Sequence, residues 1–218
     1  MRKTFLAITL FLAFSKAALA QFGNCTASEM RTYVDSATGN TITMLTDTMK
    51  NDRFLYQTDP MWTADGKYLL FRSSSRGNDK EVESTLPNGE KRKWTPTQIY
   101  FIEMATGKII QATEGPNLGS AFLANKTNRM FVSRKEKENW NMYVMDLNKF
   151  FADVKQGKVG KPSAYETFIG TFPTEMGRPG GYAVDCNDDY AYITVEREGT
   201  EEEKERMMKN AFLPENNL

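Results

Sequence analysis

The segment Trp62-Thr63-Ala64-Asp65-Gly66-Lys67-Tyr68-Leu69-Leu70-Phe71 returns 60 residues later as Phe122-Leu123-Ala124-Asn125-Lys126-Thr127-Asn128-Arg129-Met130-Phe131. A third, fainter copy begins 62 residues after that, in Val184-Asp185-Cys186-Asn187-Asp188-Asp189-Tyr190-Ala191-Tyr192-Ile193. Each copy is an apolar residue, a tight polar turn of the Asp-Gly or Asn-Asp kind, and then an alternating strand. A chain built from such units must stack them, because one unit alone leaves its apolar face in water.

A second element recurs between the copies. Asp35-Ser36-Ala37-Thr38-Gly39 followed by Ile42 and Leu45-Thr46 resembles Glu103-Met104-Ala105-Thr106-Gly107 followed by Ile109-Ile110 and Thr113, two short strands around a Thr-Gly turn in each case. The apolar runs Gln98–Ile102 and Asn141–Met145 enter the acidic residues Glu103 and Asp146. Strand, Asp-Gly turn, strand, loop, strand, Thr-Gly turn, strand is the grammar of a four-stranded antiparallel propeller blade. The sequence therefore predicts an all-β chain, a β-propeller with about three blades over residues 21–198.

The period exceeds the usual blade length of about 40–45 residues. The excess lies in two places, a polar stretch from Gly77 to Thr97 with its own Pro87-Asn88-Gly89 turn, and a long connection from Lys149 to Pro179. Loops of this size on one face of a rigid scaffold either carry binding groups or are plain surface.

Both ends of the chain differ from the repeats. Arg2 and Lys3, the apolar run Phe5 to Phe14 and Ala18-Leu19-Ala20 form a secretory signal over residues 1–20, with an apolar run too short to span a bilayer. Its removal takes Arg2, Lys3 and Lys16 and no acid, leaving 25 basic against 28 acidic residues and a net charge of −3. Such a charge favours neither nucleic acid nor an anionic membrane surface as partner. The mature chain is expected in the periplasm or outside the cell. At the other end Gly199 breaks the last strand, and Thr200-Glu201-Glu202-Glu203 opens a short charged helix through about Asn210, within a tail of residues 199–218. Three blades leave two raw edges, whereas closed propellers have typically 4–8 blades, so further blades or another chain are expected to complete the ring.

The chain contains no histidine. Ser-His-Asp triads, Cys-His pairs and imidazole-based metal centres cannot be made from its residues. Asp185-Cys186-Asn187-Asp188-Asp189 with Glu196 scans as a calcium loop, but Tyr190 stands where that loop needs glycine. Asn24-Cys25-Thr26 and Asn125-Lys126-Thr127 are formal glycosylation sequons. Cys25 and Cys186 either pair or remain free thiols. Trp62, Phe71, Tyr100, Phe131 and Tyr143 recur at strand spacing and are expected in the core between sheets.

From about Arg31 to Met207 the ordered motifs resemble the oligogalacturonide lyases, polysaccharide lyases of pectin breakdown. The resemblance is carried by Thr32-Tyr33-Val34-Asp35-Ser36-Ala37-Thr38-Gly39, by Tyr56-Gln57 before Trp62-Thr63-Ala64-Asp65-Gly66-Lys67-Tyr68-Leu69-Leu70-Phe71, and by Gln111-Ala112-Thr113-Glu114-Gly115. It implies the N-terminal part of a seven-bladed propeller that cleaves oligogalacturonates by β-elimination. In that family a histidine is the base, and a divalent cation, typically manganese, is held by histidines and a glutamine of later blades. No position here receives those residues, so no catalytic or metal-binding residue is carried over, and the chain alone is expected to be inactive. For an acidic oligosaccharide the implied contacts are Arg53, Tyr56, Gln57 and Arg72, whose alternative role is as surface and inter-blade groups. A non-catalytic TolB-like propeller that binds a protein or peptide is the rival reading, and a secreted peptidase's propeller domain is a third.

Overall fold

The computed structural model describes residues 22–77, 80–85, 89–137, 139–172 and 178–196. The signal segment 1–20, the helix expected over 199–210 and most of the Pro87-Asn88-Gly89 turn lie outside these residues. Among the described residues the chain is β-rich and its sheets are antiparallel.

The first blade joins β4 (Asp52–Arg53), β5 (Tyr68–Ser73), β8 (Gln98–Glu103) and β9 (Ile109–Gln111), with β1 (Cys25–Thr26) added outside β9. The second is β10 (Leu118–Leu123), β11 (Arg129–Glu136), β12 (Asn139–Asp146) and β13 (Glu166–Thr171), in that spatial order. The third repeat is described as two strands, β14 (Arg178–Val184) and β15 (Ala191–Glu196). The turns between the first two strands of the three repeats superpose in hydrogen bonding. Thr63, Ala124 and Asp185 each donate their backbone N–H to the carbonyl five residues on, at Tyr68, Arg129 and Tyr190, all at 3.0 Å.

The hairpin of β2 (Arg31–Val34) and β3 (Thr41–Met44) is a copy of the outer hairpin β8–β9. Thr38 Oγ1 donates to Asp35 and Thr106 Oγ1 to Glu103, at 2.9 and 2.6 Å. Gly39 and Gly107 turn the chain at φ 73° and 70°, the left-handed region that glycine enters without a Cβ clash. Among the described residues there are thus two four-stranded blades, a hairpin that matches the last two strands of a blade and a hairpin that matches the first two.

Strand alternation distributes the core. Tyr68, Leu70, Ile99 and Phe101 leave one face of the first blade to meet Leu123, Met130, Val132 and Met145 of the second. Phe71, Tyr100, Ile102 and Ile109 leave the opposite face and take Leu45, just past β3, against them. Phe122, Phe131 and Met142 carry the far face of the second blade to Tyr182, Val184 and Ile193 of the third repeat. Fully burying a side chain such as Phe71 or Phe101 stabilises by about 1.5–3 kcal/mol. Trp62 and Tyr143 depart from their expected place in this core: Trp62 is 45% exposed and makes an isolated bridge to Leu69, and Tyr143 is half-buried with its hydroxyl donated to Glu136.

The Lys149 to Pro179 connection is also more ordered than a loop. It opens with helix α1 (Leu147–Gln156). Asp146 caps it by accepting from the backbone of Lys149, and Gly157 ends it at φ 66°. Leu147, Phe150 and Phe151 lie buried on one side, and Phe151 stacks on Tyr68 with ring centroids 3.6 Å apart.

Cys25 and Cys186 are both exposed free thiols. No helix among the described residues is long and apolar enough to cross a membrane.

Candidate binding cleft

The innermost strand of the first blade is interrupted. β4 pairs with the far end of β5, Trp62 bridges Leu69 near its start, and residues 54–60 leave the sheet between them. In the short β4 ladder Arg53 stands directly opposite Arg72. Like charges in this position repel, so the pairing is not there for stability.

Adjacent strand residues point to opposite sides, and the two sides of β4 have opposite electrostatics. Asp52 turns to Arg76, whose guanidinium holds Asp52 at 2.8 and 2.6 Å and Glu29 at 2.9 and 2.6 Å. Burial alone would lower Arg76, but the two carboxylates outweigh it and keep the guanidinium above its ordinary value. The Arg76 hydrogen bonds in turn hold Glu29 below the usual carboxylate range. Arg53 turns the other way. Its Nε donates to Asn51 Oδ1 at 3.3 Å, and the Asn51 amide donates to Ser74 Oγ at 2.8 Å, which fixes the approach of the guanidinium.

A third arginine comes from the Gly77 to Thr97 stretch. It folds as a hairpin of β6 (Val82–Thr85) and β7 (Lys91–Trp94), with Ser84 opposite Arg92 and Val82 opposite Trp94. Alternation places Arg92 and Trp94 on one face of β7. That face closes a cleft of about 570 Å³ lined by Asn51, Arg53, Arg72, Ser74, Ser84, Arg92, Trp94, Thr95 and Thr97. An inner chamber of about 350 Å³ shares Arg53, Arg72, Trp94 and Thr97 and is floored by Ile99, Leu118, Gly119 and Ala121. Among the described residues neither lining contains an acid, and no carboxylate pairs with Arg53, Arg72 or Arg92. Three guanidiniums around hydroxyls and one indole offer the kind of donors that an anion with several oxygen atoms requires.

Of the sequence-predicted residues, Arg53 and Arg72 meet in the cleft. Tyr56 and Gln57 are exposed on the 54–60 excursion and do not line it. Arg92, Trp94, Asn51 and the Ser/Thr lining are additional, and the alternating Lys91-Arg92-Lys93-Trp94 is the signal that could have found the first two. Two carboxylates of the Asp185 turn, Asp185 and Asp188, hold backbone N–H groups. Asp185 accepts from the backbone of Asn187 and Tyr190, and Asp188 from that of residues 125–127. A divalent cation does not fit the described residues. No group of three or more His, Cys, Asp or Glu side chains comes together among them, and the cleft is cationic.

No protein-family model matches the chain, and no curated protein matches it in sequence. Solved structures do. An oligogalacturonate lyase in complex with manganese is 20% identical, with a TM-score of 0.52, over 76% of this chain and 35% of that one. The oligogalacturonate lyase of Vibrio parahaemolyticus is 21% identical, with a TM-score of 0.52 and the same coverage. The chain spans about a third of the length of these structures. At this identity the likeness speaks for the fold: the chain is folded as a portion of the propeller-like all-β architecture found in oligogalacturonate lyases.

Proposed function

We propose that this chain is the opening arc of an exported, oligogalacturonide lyase-like propeller, and that its cleft grips the carboxylates of pectin-derived oligogalacturonates. The observation that carries the reading is the convergence of Arg53, Arg72 and Arg92, without an acid, on one cleft at the inner edge of a fold like that of the lyases. A uronate is anionic at neutral pH, and a planar guanidinium matches its carboxylate with two parallel hydrogen bonds. The hydroxyls of Ser74, Ser84, Thr95 and Thr97 suit the sugar ring, and Trp94 offers it an apolar face.

Binding and orientation are what this chain contributes. The β-elimination, with the base and the divalent cation it requires, belongs to blades beyond the two described here, and the half-blades β2–β3 and β14–β15 are where those blades join. The signal segment 1–20 supports export.

Isothermal titration of the chain with digalacturonate tests the reading. Binding is expected, weakening as salt rises and as Arg53→Ala or Arg72→Ala is introduced, with no binding of neutral digalactose. Adding manganese and following the absorbance of the unsaturated uronate is expected to show no turnover. Absence of digalacturonate binding, or equal binding of the neutral sugar, would overturn the uronate reading in favour of a non-catalytic TolB-like propeller.

A further inference from the structure

We infer that the inserted hairpin β6–β7 makes the cleft a two-ring site, in which Arg92 reads the charge of the outer sugar and Trp94 separates it from the inner one. The inference rests on the uronate reading above and adds to it a specificity that no catalytic residue supplies.

The two chambers differ in a way that a ligand would feel. They share Arg53, Arg72, Trp94 and Thr97, so Trp94 stands at their boundary, 38% exposed, with the arginine pair beside it. Arg92 lines the outer chamber alone, among Asn51, Ser74, Ser84 and Thr95. The groups peculiar to the inner chamber are Ile99, Leu118, Gly119 and Ala121, which carry no charge and no side-chain hydrogen-bonding group. Both volumes, about 570 and 350 Å³, lie in the range of small-ligand sites.

A disaccharide laid across the boundary would place one ring in each chamber. The inner ring's carboxylate has the Arg53–Arg72 pair to face, and its apolar side lies over the uncharged floor. The outer ring's carboxylate has Arg92. Arg92 lines the outer chamber and not the inner one, so it adds a contact to a second carboxylate without altering the inner site. Esterification of the outer carboxylate removes the charge that Arg92 would bind, which makes the hairpin a discriminator between free and methyl-esterified pectin fragments.

The test is titration of the chain and of Arg92→Gln with monogalacturonate, digalacturonate and the two monomethyl esters of digalacturonate. Lys91→Gln, on the other face of β7, serves as the control. Loss of one charge-assisted contact is expected to weaken digalacturonate about tenfold in Arg92→Gln and to leave monogalacturonate and the Lys91→Gln control unchanged. The variant is further expected to bind one monomethyl isomer as tightly as digalacturonate, while the unmodified chain discriminates against both isomers. If Arg92→Gln weakens mono- and digalacturonate alike, or stays sensitive to both esters, the two-ring site is wrong while the uronate reading stands. If the unmodified chain binds no digalacturonate, both fail together.

Discussion

The Asp188 carboxylate of the third repeat accepts both the backbone N–H and the hydroxyl of Thr127 in the second, at 2.7 and 2.9 Å. It also accepts the backbone N–H groups of Asn125 and Lys126, at 2.6 and 2.9 Å, so one side chain closes an entire turn of the neighbouring blade. Asp188 does this from φ 65°, a conformation unfavourable to most side chains and occupied by Gly66 at the matching place in the first repeat. Asp188→Ala removes every one of these acceptors and is expected to destabilise the chain by about 1–3 kcal/mol, read as a lower urea midpoint. Asp188→Gly relieves the backbone but loses the same bonds, and is expected to fall between Asp188→Ala and the unmodified chain.

This turn illustrates what was legible in the sequence. Polar residues ahead of an alternating strand give away the turn, because its geometry needs local hydrogen bonds and a left-handed residue, both written into neighbouring positions. The Thr-Gly hairpins were legible for the same reason. Helix α1 was not, although Leu147, Phe150, Phe151 and Val154 have helical spacing, because the helix is one short insertion inside a strand repeat and its apolar face is matched by residues distant in sequence, Tyr68 and Phe101 under Phe151 and Phe22 against Phe150. The cleft was half legible. Arg53 and Arg72 lie on strands fixed by the repeat, whereas Arg92 and Trp94 reach them through a hairpin whose position no local pattern specifies. Tyr56 and Gln57 are close to Arg53 in sequence, yet the chain leaves the sheet at Phe54 and carries them away.

The turn carboxyls set an acid limit. Partial burial pushes Asp65 up, but hydrogen bonds from Thr63 and Lys67, with the Lys67 charge, outweigh it and bring the carboxyl to about 2. For Asp188 burial is likewise outweighed by the backbone N–H groups of residues 125–127, and its value is lowered. Both are lower folded than unfolded, where an aspartate titrates near about 3.9. Their stabilisation is therefore complete above about pH 4 and is lost as the pH falls toward 2. Urea midpoints are expected to drop across that window, and Asp65→Asn to drop less steeply while starting lower.

Arg76 clips the segment before β2 to the first blade by joining Glu29 to Asp52, and its side chain is only 6% exposed. Arg76→Met leaves two carboxylates facing each other without a cation and is expected to destabilise by about 3–5 kcal/mol in urea unfolding. Adding Glu29→Gln and Asp52→Asn to that variant removes the stranded charges and is expected to recover part of the loss. Arg76→Lys is expected to restore little, since an ammonium cannot hold two carboxylates in parallel pairs.

Arg53 and Arg72 face each other with no acid between them, an arrangement that helps a ligand and harms the free fold. Replacing Arg53 with threonine removes the repulsion and adds a residue suited to a strand. Arg53→Thr is therefore expected to raise the urea midpoint slightly, by about 0.2–1 kcal/mol of stability, while weakening digalacturonate at least tenfold. The two readouts move in opposite directions only if the arginine pair is held for a bound anion. A variant that loses stability and keeps its affinity would show instead that Arg53 supports the sheet, and that Arg72 and Arg92 hold the sugar without it.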